Sequence, residues 1–245
     1  MIANSKDIKV EDVLLKILVM GEAGTGKSIF ARSFPEKSFV FDFDKGILTY
    51  RGRDFDYGQY NTDQTGWLEF EKDFKTVIAS VKEGIYKTVI LDSTTLMSAV
   101  AMERALQLDP KRSPSGGPIW NSHYGIVKNL VEGKLRQLLS MPCNVVVIAH
   151  TQIVKDEDSG AVVGIVPLVP GALRDTLPSL FDEVYFTRVK KEAGGRTQYL
   201  LLTEATGFSR ARSRISGKDR ILPPEIENDY EAIIKAIAKK EKSHA

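Results

Sequence analysis

Gly21-Glu22-Ala23-Gly24-Thr25-Gly26-Lys27-Ser28 fits the pattern G-x-x-x-x-G-K-[ST], the loop that cradles phosphates in nucleoside triphosphatases. Its flanks matter as much as the match. Val13-Leu14-Leu15-Lys16-Ile17-Leu18-Val19-Met20 is a β-rich apolar run that reads as a buried strand. Ile29-Phe30-Ala31-Arg32-Ser33-Phe34 continues as a helix until Pro35. Strand, glycine-rich loop and helix are the context this motif requires.

The spacing follows from the chemistry. Glycines let the backbone turn its N–H groups inward as an anion nest, and the opening of the helix presents further unpaired N–H groups to the same phosphates. ATP is therefore expected on Gly21, Glu22, Ala23, Gly24, Thr25, Gly26, Lys27, Ser28 and Ile29. Lys27 would reach the β- and γ-phosphates, and the Ser28 hydroxyl would ligate Mg2+.

Working outward, the 245 residues make one large domain, with 42% hydrophobic and 27% charged residues, ordinary for a soluble globular chain. The net charge of +2 is unevenly spread: residues 188–220 carry nine Lys/Arg against three acids, compatible either with a polyanion-facing edge or with a solvated face. The single cysteine, Cys143, excludes an intrachain disulfide and fits a reducing cytoplasm (the host's, if the chain is phage-encoded). Neither a signal-peptide core nor an 18-residue apolar run is present, so no membrane association is expected.

Apolar runs alternate with helical patterns. Strands are expected at 14–20, 38–42, 88–91, 144–149, 183–189 and 198–203, and helices at 27–33, 66–82, 96–106, 122–139, 172–177 and 229–240. The pattern implies an α/β fold with a mostly parallel central sheet flanked by helices. The Gly194-Gly195 turn closes it with an antiparallel C-terminal hairpin. The organisation is an extension at 1–12, a core at 13–226, and a helix and tail at 227–245. Two stretches, 108–121 and 153–171, fit neither period and read as long functional loops.

A triphosphatase also needs a carboxylate at a strand end to hold Mg2+. Val89-Ile90-Leu91-Asp92-Ser93 supplies Asp92 as the second metal residue beside Ser28, and its competing role is a helix N-cap, for which Ser93 or Thr94 would also serve. Phe39-Val40-Phe41-Asp42-Phe43-Asp44 offers two carboxylates on one face; Asp44 is the candidate base, with Asp42 in support, against a capping role at the Lys45-Gly46 turn. After the run 145–149, His150 or Gln152 would sense the γ-phosphate.

These residues resemble the RecA-like P-loop ATPases, and most closely the compact phage-type versions assigned to recombination and single-strand annealing. The resemblance runs from about Lys16 to Pro224. Phe41-Asp42-Phe43-Asp44 looks like the strand ending in a catalytic acid, with Asp where family members usually carry Glu. Asp92-Ser93 looks like the second-strand Asp-Ser pair, and His150-Thr151-Gln152 sits where members have a γ-phosphate sensor. Asn121-Ser122-His123-Tyr124-Gly125 resembles the segment leading out of a first DNA-binding loop. The resemblance implies single-stranded DNA as partner, assembly into a ring or filament, and a single-strand DNA-binding protein as a companion. Within that frame, Lys111, Arg112 and Lys155 would neutralise phosphates, and Trp120 would either stack on a base or anchor its loop. Arg212, Arg214 and Lys218 are candidates for a basic group acting on the neighbouring subunit's ATP. Two further readings stand beside this one. A helicase loader or signalling ATPase would act on protein and predict no DNA stimulation. A small-molecule kinase would want an arginine-rich lid that the sequence does not display.

Overall fold

In the computed structural model, which describes residues 4, 9, 12–192 and 194–241, alternation along the strands sorts the apolar residues into two cores. Leu18, Phe41, Leu91 and Val147 share one face, where they meet the helices α2 (Gly66–Lys82), α3 (Thr94–Leu108) and α4 (Trp120–Leu139). Ile17, Val19, Val40, Ile90, Val146 and Ile148 share the other, with α1 (Lys27–Arg32) and α6 (Tyr230–Glu241). A short helix, α5 (Leu173–Thr176), follows the second irregular stretch.

Among the described residues the sheet has ten strands: β1 (Lys16–Gly21), β2 (Ser38–Asp42), β3 (Phe55–Gln59), β4 (Thr88–Asp92), β5 (Asn144–Lys155), β6 (Val162–Pro167), β7 (Glu183–Lys191), β8 (Thr197–Leu202), β9 (Arg212–Ser213) and β10 (Glu225–Glu227). Their order is β10-β8-β7-β1-β5-β4-β2-β3, with β6 paired to β5 and β9 to β7. The run from β7 to β3 is parallel throughout, and β8 and β10 are antiparallel, so the expected α/β architecture with its closing hairpin is the one observed. Register aligns the chemistry: Gly21 lies beside His150, and Asp42 beside Asp92. The C-terminal ends of β1, β2, β4 and β5 thus form one edge, where an α/β sheet places its ligands.

Four strands escaped the sequence reading: β3, β6, β9 and β10. Phe55–Gln59 is an edge strand carrying a glycine and an acid, so it lacks a continuous apolar run. Glu225–Glu227 is only three residues long. Residues 153–171 are a correction of another kind: not a structureless loop but largely an antiparallel hairpin, formed because β5 runs on past the sheet to Lys155 and pairs with β6. Its turn is closed by Asp156, whose carboxylate accepts from the backbone N–H and hydroxyl of Ser159. Trp120, expected within the first loop, is instead the first residue of α4. Most of the expected N-terminal extension, and the tail after 241, lie outside the described residues.

Helix starts follow capping chemistry. Asp63 accepts from the backbone N–H groups of Thr65 and Gly66 ahead of α2, and the Ser93 hydroxyl accepts from Leu96 N–H at the start of α3. Ser93 therefore takes the N-cap role that competed for Asp92. Among the described residues no helix is long and apolar enough to cross a membrane.

Phe70 sits at the centre of the larger core, its ring within 5.1–5.5 Å of those of Phe41, Phe43, Tyr60, Trp67 and Phe74. Phe70→Ala should cost about 3–5 kcal/mol, because the cavity opens among rigid rings that cannot collapse into it. Urea unfolding checks this; a midpoint shift worth under about 1 kcal/mol would refute the central placement.

Candidate functional site

The phosphate loop is tied to the sheet on both flanks. Gly21 passes so close to Thr187 on β7 that a Cβ there would lie 2.0 Å from the Thr187 hydroxyl. Gly26 has φ +98, and a Cβ on it would meet Asn228 Nδ2 at 2.6 Å and the Tyr199 ring at 2.8 Å. Both positions demand glycine, one for close approach and one also for its left-handed backbone. Thr25 completes the brace: its hydroxyl donates to Glu22 O at 2.7 Å and shares a hydrogen bond with the Thr187 hydroxyl.

The loop opens into a cavity of about 340 Å3, lined among others by Gly24, Lys27, Ser28, Asp44, Asp92 and His150. Ala23, Gly26 and Ile29 also face it. Gly21, Glu22 and Thr25, by contrast, line a separate recess toward the β5–β6 hairpin. Lys27 Nζ donates to Glu22 O at 2.7 Å, folded back on its own loop. Burial lowers the pKa of this amine, opposed by the charges of Asp92 and Asp44.

Asp92 is nearly fully buried at the end of β4, and one of its oxygens, Oδ2, accepts from both the Ser28 hydroxyl (2.8 Å) and the Tyr50 phenol (2.9 Å). Burial pushes its pKa up to about 6; hydrogen bonds from Ser28 and Tyr50 counter this, while the charges of Asp44 and Asp42 add to it. Asp44 has the opposite balance. Burial works against its charge, but hydrogen bonds from His150 Nε2 (2.7 Å) and the Ser93 hydroxyl (2.6 Å) prevail and hold its carboxyl below the usual range. An ionised Asp44 accepting from Nε2 fixes the His150 tautomer.

A serine hydroxyl hydrogen-bonded to a buried carboxylate, with two more carboxylates nearby, is a donor set for a hard divalent cation that takes its remaining ligands from phosphate and water. Among the described residues no group of three or more His, Cys, Asp or Glu could hold a metal by itself. The residues fit magnesium held with the nucleotide rather than in an all-protein cage.

The raised pKa has a consequence for stability. The folded chain, free of nucleotide and metal, holds the Asp92 proton more tightly than the unfolded chain does, with its ordinary pKa of 3.8. This residue's contribution therefore becomes less favourable as pH rises from about 4 to about 6, and the penalty is complete above that. Asp92→Asn should gain stability relative to the wild type between pH 5 and pH 7. Paired urea titrations at the two pH values read the difference, and an equal offset at both would contradict the assignment.

Other expected residues fall as follows. Gln152 lies on β5 opposite Val166, outside the cavity lining. Lys111 and Arg112 are exposed on the loop between α3 and α4, and the Arg112 guanidinium donates to the backbone carbonyls of Leu106, Asp109 and Lys111. Trp120 is 65% exposed, its ring 4.4 Å from that of Tyr124. Lys155 is exposed at the end of β5. Arg212 donates to Pro178 O (2.7 Å) and Phe181 O (2.8 Å), and Arg214 pairs with Asp182 at 2.5 Å, at the start of β7 and far along the strand from the phosphate loop. Lys218 is exposed in the following turn. Arg188 and Lys190 are engaged by Glu225, so much of the basic stretch is taken up by the fold itself.

Asp42 was read in the sequence as a support for Asp44, whereas the roles of Tyr50, Tyr199 and Asn228 were not identified there. Tyr50 belongs to no motif, yet its buried phenol donates to the metal-candidate carboxylate of Asp92. Asp42 accepts from Gly46 N–H (2.8 Å), Ile47 N–H (3.1 Å) and Gln59 Nε2 (2.7 Å), fixing the turn that presents Asp44. Tyr199 and Asn228 reach the loop from 170 or more residues away, and no local signal marks them.

A parallel sheet carrying a phosphate loop at the end of β1, a buried Asp at the end of β4 and a polar strand end between them on β5 defines a RecA-like P-loop ATPase fold. The chain belongs to the AAA domain family, whose profile matches residues 14–220. None of the curated proteins matches it. Solved structures similar to it include the flagellar accessory protein FlaH from Methanocaldococcus jannaschii, at 11% identity over 91% of this chain and 89% of that one. The TM-score there is 0.39.

Proposed function

We propose that the chain is a magnesium-dependent ATPase that couples hydrolysis to single-stranded DNA in recombination or strand annealing. The observation that carries this reading is the continuity of β5. The same strand holds His150 against Asp44 inside the cavity and then extends as the outer hairpin bearing Lys155. A change at the γ-phosphate that moves Asp44 is thus one strand away from a surface element. The loop carrying Lys111 and Arg112 leaves α3, whose last turn is tied to the segment after β3 by the hydrogen bond from Gln107 Nε2 to Gln64 O.

In this reading Ser28 and Asp92 would hold magnesium, which would supply charge neutralisation on the phosphates. Lys27 leaves Glu22 O for the phosphate oxygens. Asp44, kept ionised by His150 and Ser93, accepts a proton from the attacking water as the water oxygen bonds to the γ-phosphorus and the bridging oxygen departs with ADP. Tyr50 holds Asp92 in orientation throughout. A basic group from a neighbouring subunit in a ring or filament, Arg214 or Lys218, completes the charge stabilisation.

A second reading, a regulator or loader acting on a protein partner, is favoured by the hairpin surface itself. Ile153 and Val163 are 52% and 50% exposed, and its turn is acidic at Asp156, Glu157 and Asp158. Binding of a fluorescent oligonucleotide across a salt series separates the two. The DNA reading predicts affinity falling steeply with salt and weakened by Lys111→Ala with Lys155→Ala. Salt-indifferent or absent binding would favour the protein partner.

A further inference from the structure

Beside the phosphate cavity lies a second recess of about 450 Å3, between the β7–β8 turn and the β10–α6 junction. Ile29 and Tyr199 line both, so the two adjoin at the first turn of α1. Nothing in the phosphate-loop motif specifies this space. Its walls include Arg196, Gln198, Glu227 and Asn228.

Asn228 is the telling residue. It is 6% exposed, and its Nδ2 donates to Gly26 O at 2.8 Å, which fixes the orientation of the amide. Its Oδ1 is buried and has no hydrogen-bond partner among the described residues. A buried acceptor in that state is rare in folded proteins, and a donor brought by a ligand removes its cost. The neighbouring Tyr199 ring stands against Gly26, offering an aromatic surface next to the point where a phosphate chain would end.

We infer that this recess is the nucleoside subsite of the ATP site: Tyr199 packs against the nucleoside, and Asn228 Oδ1 accepts a hydrogen bond from its hydroxyl or amine group. The inference rests on the phosphate-loop reading above and adds to it the direction in which the nucleotide lies. The opposite direction would run past Thr49 and the exposed Leu48, which offer neither a buried unpaired acceptor nor a ring. Asn228 then serves twice, clamping the loop through Nδ2 and reading the ligand through Oδ1.

The test compares ATP with inorganic tripolyphosphate, which occupies the phosphate loop alone. Tyr199→Ala should weaken ATP about tenfold, as for loss of one stacking contact, while tripolyphosphate affinity stays within about twofold; Asn228→Ala, which also removes the clamp on Gly26 O, should weaken ATP by about tenfold more than it weakens tripolyphosphate. Tyr199→Phe should retain ATP affinity. Equal weakening of both ligands would overturn the inference, since the residues would then act only by bracing Gly26. Photolabelling of the wild-type protein with 8-azido-ATP needs no variant: label within 192–199 or 225–229 supports the subsite, and label within 47–50 overturns it. Failure of the wild type to bind either ligand would overturn the phosphate-loop reading, and the subsite with it.

Discussion

Lys27→Ala is expected to lower ATP turnover by about 10²–10³-fold, the loss that accompanies removal of one preorganised group from a developing charge. Nucleotide affinity should fall with it, because the amine is the cation of the phosphate cavity that the loop motif supplies. Folding should be spared. The side chain's hydrogen bond goes to Glu22 O on a neighbouring exposed stretch, where water replaces the amine. Thermal unfolding and isothermal titration read the two effects separately. Turnover within about threefold of wild type would remove Lys27 from the chemistry, and the cavity from its role.

Asp44→Asn should show the complementary pattern. The amide keeps the size and one acceptor oxygen but cannot take a proton, so turnover should fall by about 10²–10⁴-fold while ATP affinity changes little. The acid that remains, Asp92, cannot substitute. It is buried against Ser28 and Tyr50, and its raised pKa reflects a carboxylate short of solvation rather than one facing water. Single-turnover hydrolysis alongside equilibrium binding distinguishes this from a binding defect. A parallel loss of affinity and rate would make Asp44 a ligand-holding residue instead.

Where a residue's local sequence decides its position, the sequence was enough. The loop 21–28 is legible between an apolar run and a helix, and Asp92 and Asp44, read as acids at the ends of apolar runs, both line the cavity beside it. The parallel sheet followed from alternation of runs and helical patterns. What escaped depends on distant partners. The role of Tyr50 comes from a helical turn that folds it under β4, and that of Asn228 from α6 docking beside α1. Neither has a period or a motif. The hairpin at 153–171 escaped because Pro167, Pro170 and three successive acids mask two short strands that gain stability only by pairing with each other. Arg212 and Arg214 illustrate the converse: read as candidates for a basic group acting on a neighbouring subunit, they are, in the fold, engaged by backbone carbonyls and Asp182.

Steady-state ATP hydrolysis by the full chain, with and without single-stranded DNA and with Lys27→Ala in parallel, tests the central claim most directly. The account predicts magnesium-dependent turnover that rises when DNA is added and vanishes in the variant. Turnover that Lys27→Ala leaves intact, or that DNA leaves unchanged, would contradict it.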